Sequence, residues 1–167
     1  IDGNLDAIAD AVRKTGARLV VIDPLMAYLG GDVNTYRDQD VRRALAPLSK
    51  MADDTGAAVL VVRHLTKGGG AASIYRGGGS IGIVGAARSA LLVAKDPEDE
   101  ERRIVASVKS NLSKPPASLA YRVEEAPNGA PRLSWEGEVE ITANELLAAQ
   151  APEAEGGRPR DEAVSFL

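Results

Sequence analysis

Two side chains suited to phosphate chemistry each follow a short apolar segment. Asp23 follows residues 19–22 (Leu-Val-Val-Ile), and His64 follows residues 57–63, which end in Val-Val-Arg. If these segments are neighbouring parallel strands, both side chains lie at the carboxyl edge of a sheet, where ligands of open α/β sheets bind. A carboxylate there can orient Mg²⁺ through water, and a neutral imidazole can donate a hydrogen bond to a γ-phosphate or position the attacking water. The alternatives are an aspartate that begins a turn and a histidine bonded to a loop carbonyl.

A glycine-rich segment follows His64. Residues 67–80 contain six glycines, no acidic residue, and the two cations Lys67 and Arg76. This combination suits contact with a phosphate backbone, although a surface loop without a ligand would have the same composition. The segment is not a P-loop, because the pattern G-x-x-x-x-G-K-[ST] occurs nowhere in the chain.

Lys109 is a further candidate. It lies near the end of the apolar segment 104–110 and is expected to project from the end of a strand. A cation at such a place can act on the nucleotide of a neighbouring subunit, as arginine fingers do. The alternative is a solvated lysine on an edge strand.

The apolar periodicity predicts the helices that would position these side chains. We expect them over residues 4–15, 35–55, 81–89 and 143–150. Asn4 and Thr142 are expected to cap helix starts, and Gly16 and Gly56 to end helices. Pro47 is expected to kink or split the second helix.

Strands are expected over residues 19–23, 57–62, 90–94, 104–110, 119–124 and 133–135. The first two are unbroken apolar runs, which are typical of strands buried on both faces. Trp135 is expected to pack rather than to act as a stacking platform. The order of helices and strands indicates an α/β sheet with an antiparallel extension.

The composition narrows the function classes. A length of 167 residues, 44% of them apolar and 26% charged, suits one ordinary domain of a soluble protein. The absence of cysteine excludes a disulfide framework, and a single histidine argues against structural zinc. No apolar run approaches the ~20 residues of a membrane span, so we expect a cytoplasmic protein without membrane contact. The net charge of −4 means that any contact with nucleic acid must be local, through a few basic residues.

Taken in order, these motifs resemble a known family. Residues 20–25 (Val-Val-Ile-Asp-Pro-Leu) look like the Walker B strand of RecA-like ATPases. The motifs that follow are Arg63-His64-x-x-Lys67, Gly79-Ser80-Ile81, Ala87-Arg88 and Lys109-x-Asn111-Leu112. This order, from residue 17 to about 125, is similar to the AAA-domain ATPases related to the plasmid replicative helicase RepA. Such domains also occur in phage and prophage primase–helicases.

The resemblance implies a truncated RecA-like P-loop core, with a mostly parallel sheet flanked by helices. It also implies a hexameric ring with ATP between subunits and single-stranded DNA in the pore. Asp23 matches the Walker B residue that holds Mg²⁺, and His64 matches the γ-phosphate sensor. Residues 68–80, with Gly78, Gly79 and Ser80, match the loop that touches DNA, and Lys109, with Asn111 or Lys114, matches the trans-acting position.

Two parts of such enzymes are missing from this sequence, namely the P-loop and the catalytic glutamate. Both are expected before Ile1, so we expect the chain alone to bind ATP poorly and to hydrolyse none. Residues 1–150 are interpreted as the C-terminal part of the core, 151–160 as a linker and 161–167 as the start of a further helix. The rival hypotheses are a recombinase-like or regulatory RecA-fold ATPase and a non-catalytic, ring-forming interaction module.

Overall fold

The computed structural model describes residues 4–31, 33–64 and 82–150. The helices are α1 (Leu5–Thr15), α2 (Asp38–Thr55), α3 (Gly82–Ala86) and α4 (Ala143–Ala149). The strands are β1 (Leu19–Ile22), β2 (Ala58–Val61), β3 (Ser89–Lys95), β4 (Arg102–Ser110), β5 (Ser118–Glu125) and β6 (Pro131–Val139). The chain divides into two compact units. The first contains α1 to α3, β1, β2 and residues 107–116, and the second contains residues 92–106, β5, β6 and α4.

The first unit is built on β1 and β2, which pair in parallel with Leu19 opposite Ala58 and Ile22 opposite Val61. Both long helices are amphipathic, with apolar residues three or four positions apart facing this sheet. The buried core combines residues from all these elements: Leu5, Ala9, Ile22, Leu25, Val41, Leu45, Leu48, Met51 and Ile83. Burial of this apolar set is the main favourable contribution to the stability of the unit.

Both long helices end at a glycine, as the sequence predicts. Gly16 and Gly56 have φ values of 68° and 67°, a left-handed conformation that favours glycine. Their backbone N–H groups donate to the carbonyls of Val12 and Ala52, which closes the last turn of each helix. Asn4 occupies the predicted position before α1, but its side chain makes no capping hydrogen bond.

The structure corrects two expectations about this unit. β1 and β2 are not buried on both faces, because Leu19, Val21 and Leu60 are 55%, 54% and 50% exposed. The core lies on one side of the two-stranded sheet, so an apolar run here does not mean two covered faces. Pro47 does not split α2, which continues through it as one helix. Pro47 is exposed on the helix surface, where water can replace the missing N–H donor.

The second unit contains most of a four-stranded sheet with the order β3-β4-β5-β6. β4 and β5 pair antiparallel with Ile104 opposite Ala120. β5 and β6 also pair antiparallel, with a bulge beside Ala120 and Tyr121. Gly137, next to the bulge on β6, has a φ of 99°, a conformation that side-chain-bearing residues rarely adopt.

Thr142 caps α4, as the sequence predicts, and the structure shows a capping box with Glu145. The Thr142 hydroxyl accepts from the Glu145 backbone N–H at 3.2 Å, and the Glu145 carboxylate accepts from the Thr142 backbone N–H at 2.7 Å. The pKa of Glu145 is lowered by the hydrogen bond from the Thr142 backbone N–H and, after it, by the Thr142 hydroxyl, which donates to the same carboxylate at 2.7 Å. Ala143, Leu146 and Leu147 of this helix are buried.

The architecture is mixed α/β and agrees with a truncated α/β P-loop NTPase-like fold. Its parallel part is the β1–β2 pair, and its antiparallel part is a separate four-stranded sheet. Among the helices of residues 4–31, 33–64 and 82–150, none has the length and apolar content needed to cross a membrane.

Ion pairs connect the strands of the second unit. Asp96 is buried and accepts from Arg102 Nε at 2.5 Å. Arg122 on β5 donates to both Asp99 and Glu136. The hydrogen bond from Arg122 is the main cause of the lowered pKa of Asp99, and the same bond, followed by that to Glu136, raises the pKa of Arg122. The turn before β4 is therefore fastened electrostatically to β5 and β6.

We predict that Arg122→Met makes the second unit less stable at pH 7 but changes its stability much less near pH 3. A carboxylate whose pKa is depressed on folding adds stability above its unfolded pKa, and this stability is lost as the pH falls through the folded pKa. Asp99 is such a group. Urea unfolding at the two pH values, followed by the fluorescence of Trp135 on β6, measures the difference.

Arg13→Met is the matched control, since Arg13 pairs with Asp10 on the exposed surface of α1. It should leave the Trp135 transition unchanged at both pH values. An equal loss of stability at pH 7 and pH 3 in Arg122→Met would show that Arg122 contributes by packing and not by charge.

Candidate functional site

The structure brings Asp23 and His64 together at one end of the β1–β2 pair. Each lies just past the carboxyl end of its strand, and the strands are parallel neighbours. His64 Nε2 is 4.0 Å from Asp23 Oδ1, and the two side chains are 79% and 57% exposed. Because this separation is longer than a hydrogen bond, both side chains can still bind a third group such as a ligand. The predicted proximity of these two side chains is thus confirmed.

Backbone hydrogen bonds beyond the strand ends fix this arrangement. The Val62 N–H donates to the Ile22 carbonyl at 2.8 Å, and the Leu25 N–H donates to the Val62 carbonyl at 2.7 Å. Leu25 is fully buried and begins the short 3₁₀ turn Leu25–Ala27. Asp23 therefore sits between a strand and a buried anchor, and the peptide bond joining Asp23 to Pro24 is cis.

Arg63, between Val62 and His64, is half-buried, and burial lowers the pKa of its guanidinium. In the sequence, Arg63 stands out only as part of the motif Arg63-His64-x-x-Lys67. Because Arg63 directly precedes His64, it adds a positive charge near the carboxyl end of β2. Its position directly before His64 at a strand end is the sequence signal that identifies it.

The donor set fits a magnesium ion held mainly by its ligand and by water. Within the described part of the chain, no three carboxylate or imidazole side chains cluster as a complete metal cage. Mg²⁺ commonly keeps several waters and binds one or two carboxylates together with substrate phosphates. A single exposed carboxylate such as that of Asp23 satisfies this requirement.

Lys109 does not project from its strand as expected. Its ammonium donates to the carbonyls of Val84, Gly85 and Ala87, at 3.1, 2.8 and 2.7 Å. These are carbonyls at the C-terminal end of α3, which lack partners within the helix and attract a cation. Lys109 thus fastens β4 to α3, and a role in trans would require it to leave these three acceptors.

The other predicted site residues divide into two groups. Asn111 and Lys114 are exposed after β4, and the Asn111 backbone N–H donates to the Arg88 carbonyl at 3.0 Å. Their predicted roles stay predictions. Lys67, Arg76, Gly78, Gly79 and Ser80 lie outside the described residues.

A family model described as an AAA domain matches residues 1–70. This stretch contains α1, β1, α2 and β2 and therefore includes both Asp23 and His64. The match supports a P-loop ATPase-like domain. An AAA-type domain indicates nucleotide-dependent ATPase activity. No curated protein matches the chain.

We predict that Lys109→Met lowers the free energy of unfolding of the first unit by about 1–3 kcal/mol, because three carbonyls at the end of α3 lose a charged donor. Chemical denaturation followed by circular dichroism measures the loss. Lys114→Met is the matched control, since Lys114 is exposed, and it should change the stability by less than ~0.5 kcal/mol. Equal stabilities of the two variants would contradict a structural role for Lys109 and favour the trans-acting one.

Proposed function

We propose that this chain is part of an ATP-hydrolysing DNA motor of the replicative helicase or primase–helicase type. In this proposal it supplies the Walker B aspartate, the γ-phosphate sensor and the DNA-binding loop. The observation that carries the proposal is the 4.0 Å separation of Asp23 and His64 at one edge of a parallel strand pair. Ligands of α/β sheets bind at this edge.

Asp23 is proposed to hold Mg²⁺ through water, as the exposed carboxylate at the end of β1. When bound, the metal would neutralise charge on the β- and γ-phosphates of ATP. His64 is proposed to donate a hydrogen bond to the γ-phosphate or to orient the attacking water. The backbone hydrogen bonds of Val62 fix the main chain beside both residues, which supports a preorganised position for each side chain.

His64 is also proposed to couple the nucleotide to DNA. It precedes residues 68–80 in the chain, so a change in its contact with the γ-phosphate can pass directly into that segment. Lys67 and Arg76 would contact the phosphate backbone of single-stranded DNA. The glycines and Ser80 would let the backbone approach the strand closely.

The P-loop and the catalytic glutamate are proposed to precede this chain in the intact protein. The intact protein would act as a hexameric ring with ATP between subunits. Lys109, with Asn111 or Lys114, is then proposed to act in trans on the nucleotide of a neighbouring subunit. For Lys109 this role would compete with its three bonds to α3.

The first test is ATP hydrolysis by the intact protein. Asp23→Ala and His64→Ala should each reduce turnover by about 100-fold or more, because each removes an interaction with the phosphates or the nucleophile. Asp10→Ala is the matched control, an exposed aspartate on α1 that should retain activity. Wild-type turnover in both site variants, with the fold intact by circular dichroism, would refute the assignment.

The second test addresses the DNA-binding loop. Single-strand binding should weaken with salt, and replacing both Lys67 and Arg76 by alanine should lower the slope of log K against log salt by about 1.4, since ~0.7 counterion is released per contact. Lys50→Ala, a change at an exposed lysine on α2, should leave the slope unchanged. Salt-independent binding, or a slope unaffected by the double variant, would favour a protein-binding module instead.

Strand displacement by the intact protein separates a helicase from a recombinase-like ATPase.

A further inference from the structure

The turn between β5 and β6 contains the one asparagine of the sequence that is followed by glycine. The sequence has five asparagines, and only Asn128 precedes a glycine, Gly129. Spontaneous deamidation of an asparagine begins when the backbone nitrogen of the next residue attacks the carbon of the side-chain amide. Glycine favours this attack, because it has no Cβ to crowd its nitrogen and adopts many backbone conformations. Asn128 is exposed, so water can reach its side chain.

Hydrogen bonds define the geometry of this turn. The Gly129 N–H donates to the Ala126 carbonyl at 2.8 Å, and the Ala126 N–H donates to the Ala130 carbonyl at 2.8 Å. The side-chain oxygen of Asn128 accepts from the Ala130 N–H at 3.2 Å. In the folded hairpin, the nitrogen that would attack and the amide that would be attacked are therefore each bonded to a different residue.

The bond from Gly129 to Ala126 closes a type I β-turn over residues 126–129. Pro127 suits the second position of such a turn. A type II turn would need a positive φ at Asn128, whereas within residues 126–130 only Gly129 has one, at 79°. The third position of a type I turn has a ψ near 0°, which leaves about 120° of rotation about the Cα–C bond between Cβ and the next nitrogen. The five-membered ring of the attack cannot close in this conformation.

Further contacts hold the two strands together beside the turn. Glu124 on β5 lies opposite Arg132 on β6, and the Arg132 guanidinium donates to the Glu124 carboxylate at 2.9 Å. The Ser134 hydroxyl donates to the same carboxylate oxygen at 2.7 Å. Rotation of the Asn128 backbone into a reactive conformation therefore requires local opening of this end of the hairpin.

We propose that Asn128 is a self-modification site whose deamidation is controlled by opening of the β5–β6 hairpin. When the turn opens, the Asn128 backbone rotates until the Gly129 nitrogen reaches the side-chain Cγ. The nitrogen loses its proton to solvent, the N–Cγ bond forms, and the bond from Cγ to the amide nitrogen breaks with release of ammonia. Water then adds to one of the two carbonyls of the resulting succinimide and opens the ring, which leaves aspartate or isoaspartate.

The reaction changes the turn in two ways. It adds a carboxylate next to Gly129, where Glu125 Oε1 already lies 3.8 Å from the position that a Cβ on this glycine would occupy. Like charges at this end of the hairpin repel each other. Isoaspartate also inserts a side-chain carbon into the main chain, so the Gly129 N–H no longer fits the Ala126 carbonyl. Both changes favour the open turn, so a modified hairpin end stays open.

The test is mass spectrometry of the full chain after incubation at mildly alkaline pH, where a backbone nitrogen loses its proton more readily. Deamidation should be confined to Asn128, because the other four asparagines precede leucine, threonine or glutamate, whose side chains crowd the attacking nitrogen. In guanidinium, Asn128 should react about tenfold faster or more, since unfolding releases the turn.

Pro127→Gly tests the control by the turn itself. This variant keeps Asn128 and Gly129 but removes the fixed φ before them, so deamidation of the folded chain should rise about two- to fivefold. In guanidinium the variant and the original chain should react at the same rate, because the attacking residue is unchanged. Pro115→Gly, a change at an exposed proline in the first unit, is the matched control and should leave the rate at Asn128 unchanged.

Asn128→Asp separates the two effects of the reaction on the turn. It adds the carboxylate without lengthening the main chain. Amide hydrogen exchange at Ala126 and Gly129 should therefore be faster in the isoaspartate form of the chain than in this variant. Equal exchange in the two would contradict the disruption of the turn by the longer main chain.

Equal rates of deamidation at Asn128 in the folded and the unfolded chain would overturn the proposal. A Pro127→Gly variant that reacts no faster than the original chain when folded would do the same. None of these measurements involves ATP, Asp23 or His64, so they can fail while the proposed ATPase function holds, and the reverse.

Discussion

The parallel pairing of β1 with β2 is the constraint on which the candidate site depends. Parallel strands end at the same edge, so two side chains that are far apart in sequence meet just past the strand ends. The hydrogen bonds from Val62 to Ile22 and from Leu25 to Val62 extend this pairing beyond the strands themselves. Without them Asp23 would belong to a loop, and its distance from His64 would not be fixed.

The rest of the first unit holds this strand pair in place while leaving the edge open. Leu25 and Val41, both fully buried, tie the turn after β1 and the start of α2 into one core. Lys109 fastens β4 to the end of α3, a short helix that by itself has few hydrogen bonds to hold it. The apolar core thus supports the strand ends that carry Asp23 and His64. The exposure of these two side chains is compatible with binding of a charged ligand.

The second unit is organised differently, because one face of its sheet is buried and the other is largely exposed. Its buried side contains Ile104, Ala106 and Ala120, and α4 of the same unit buries Leu146 and Leu147. The opposite side exposes apolar side chains around Trp135, and Arg103 lies on the same side opposite Tyr121. The ion pairs of Arg102 and Arg122 connect the strands of this sheet.

The sequence by itself determined the local elements, because they depend on residues close together in the chain. Helical periodicity, Gly16, Gly56 and the cap Thr142 predicted the helices, and the ends of two apolar runs identified Asp23 and His64. Only the tertiary structure decided which faces of the strands are covered and which carbonyls accept hydrogen bonds from Lys109. Both features depend on segments distant in sequence. An apolar run predicts a strand, but the burial of that strand depends on the segments that pack on it. Pairing between segments that are distant in the chain leaves no periodic pattern in the sequence.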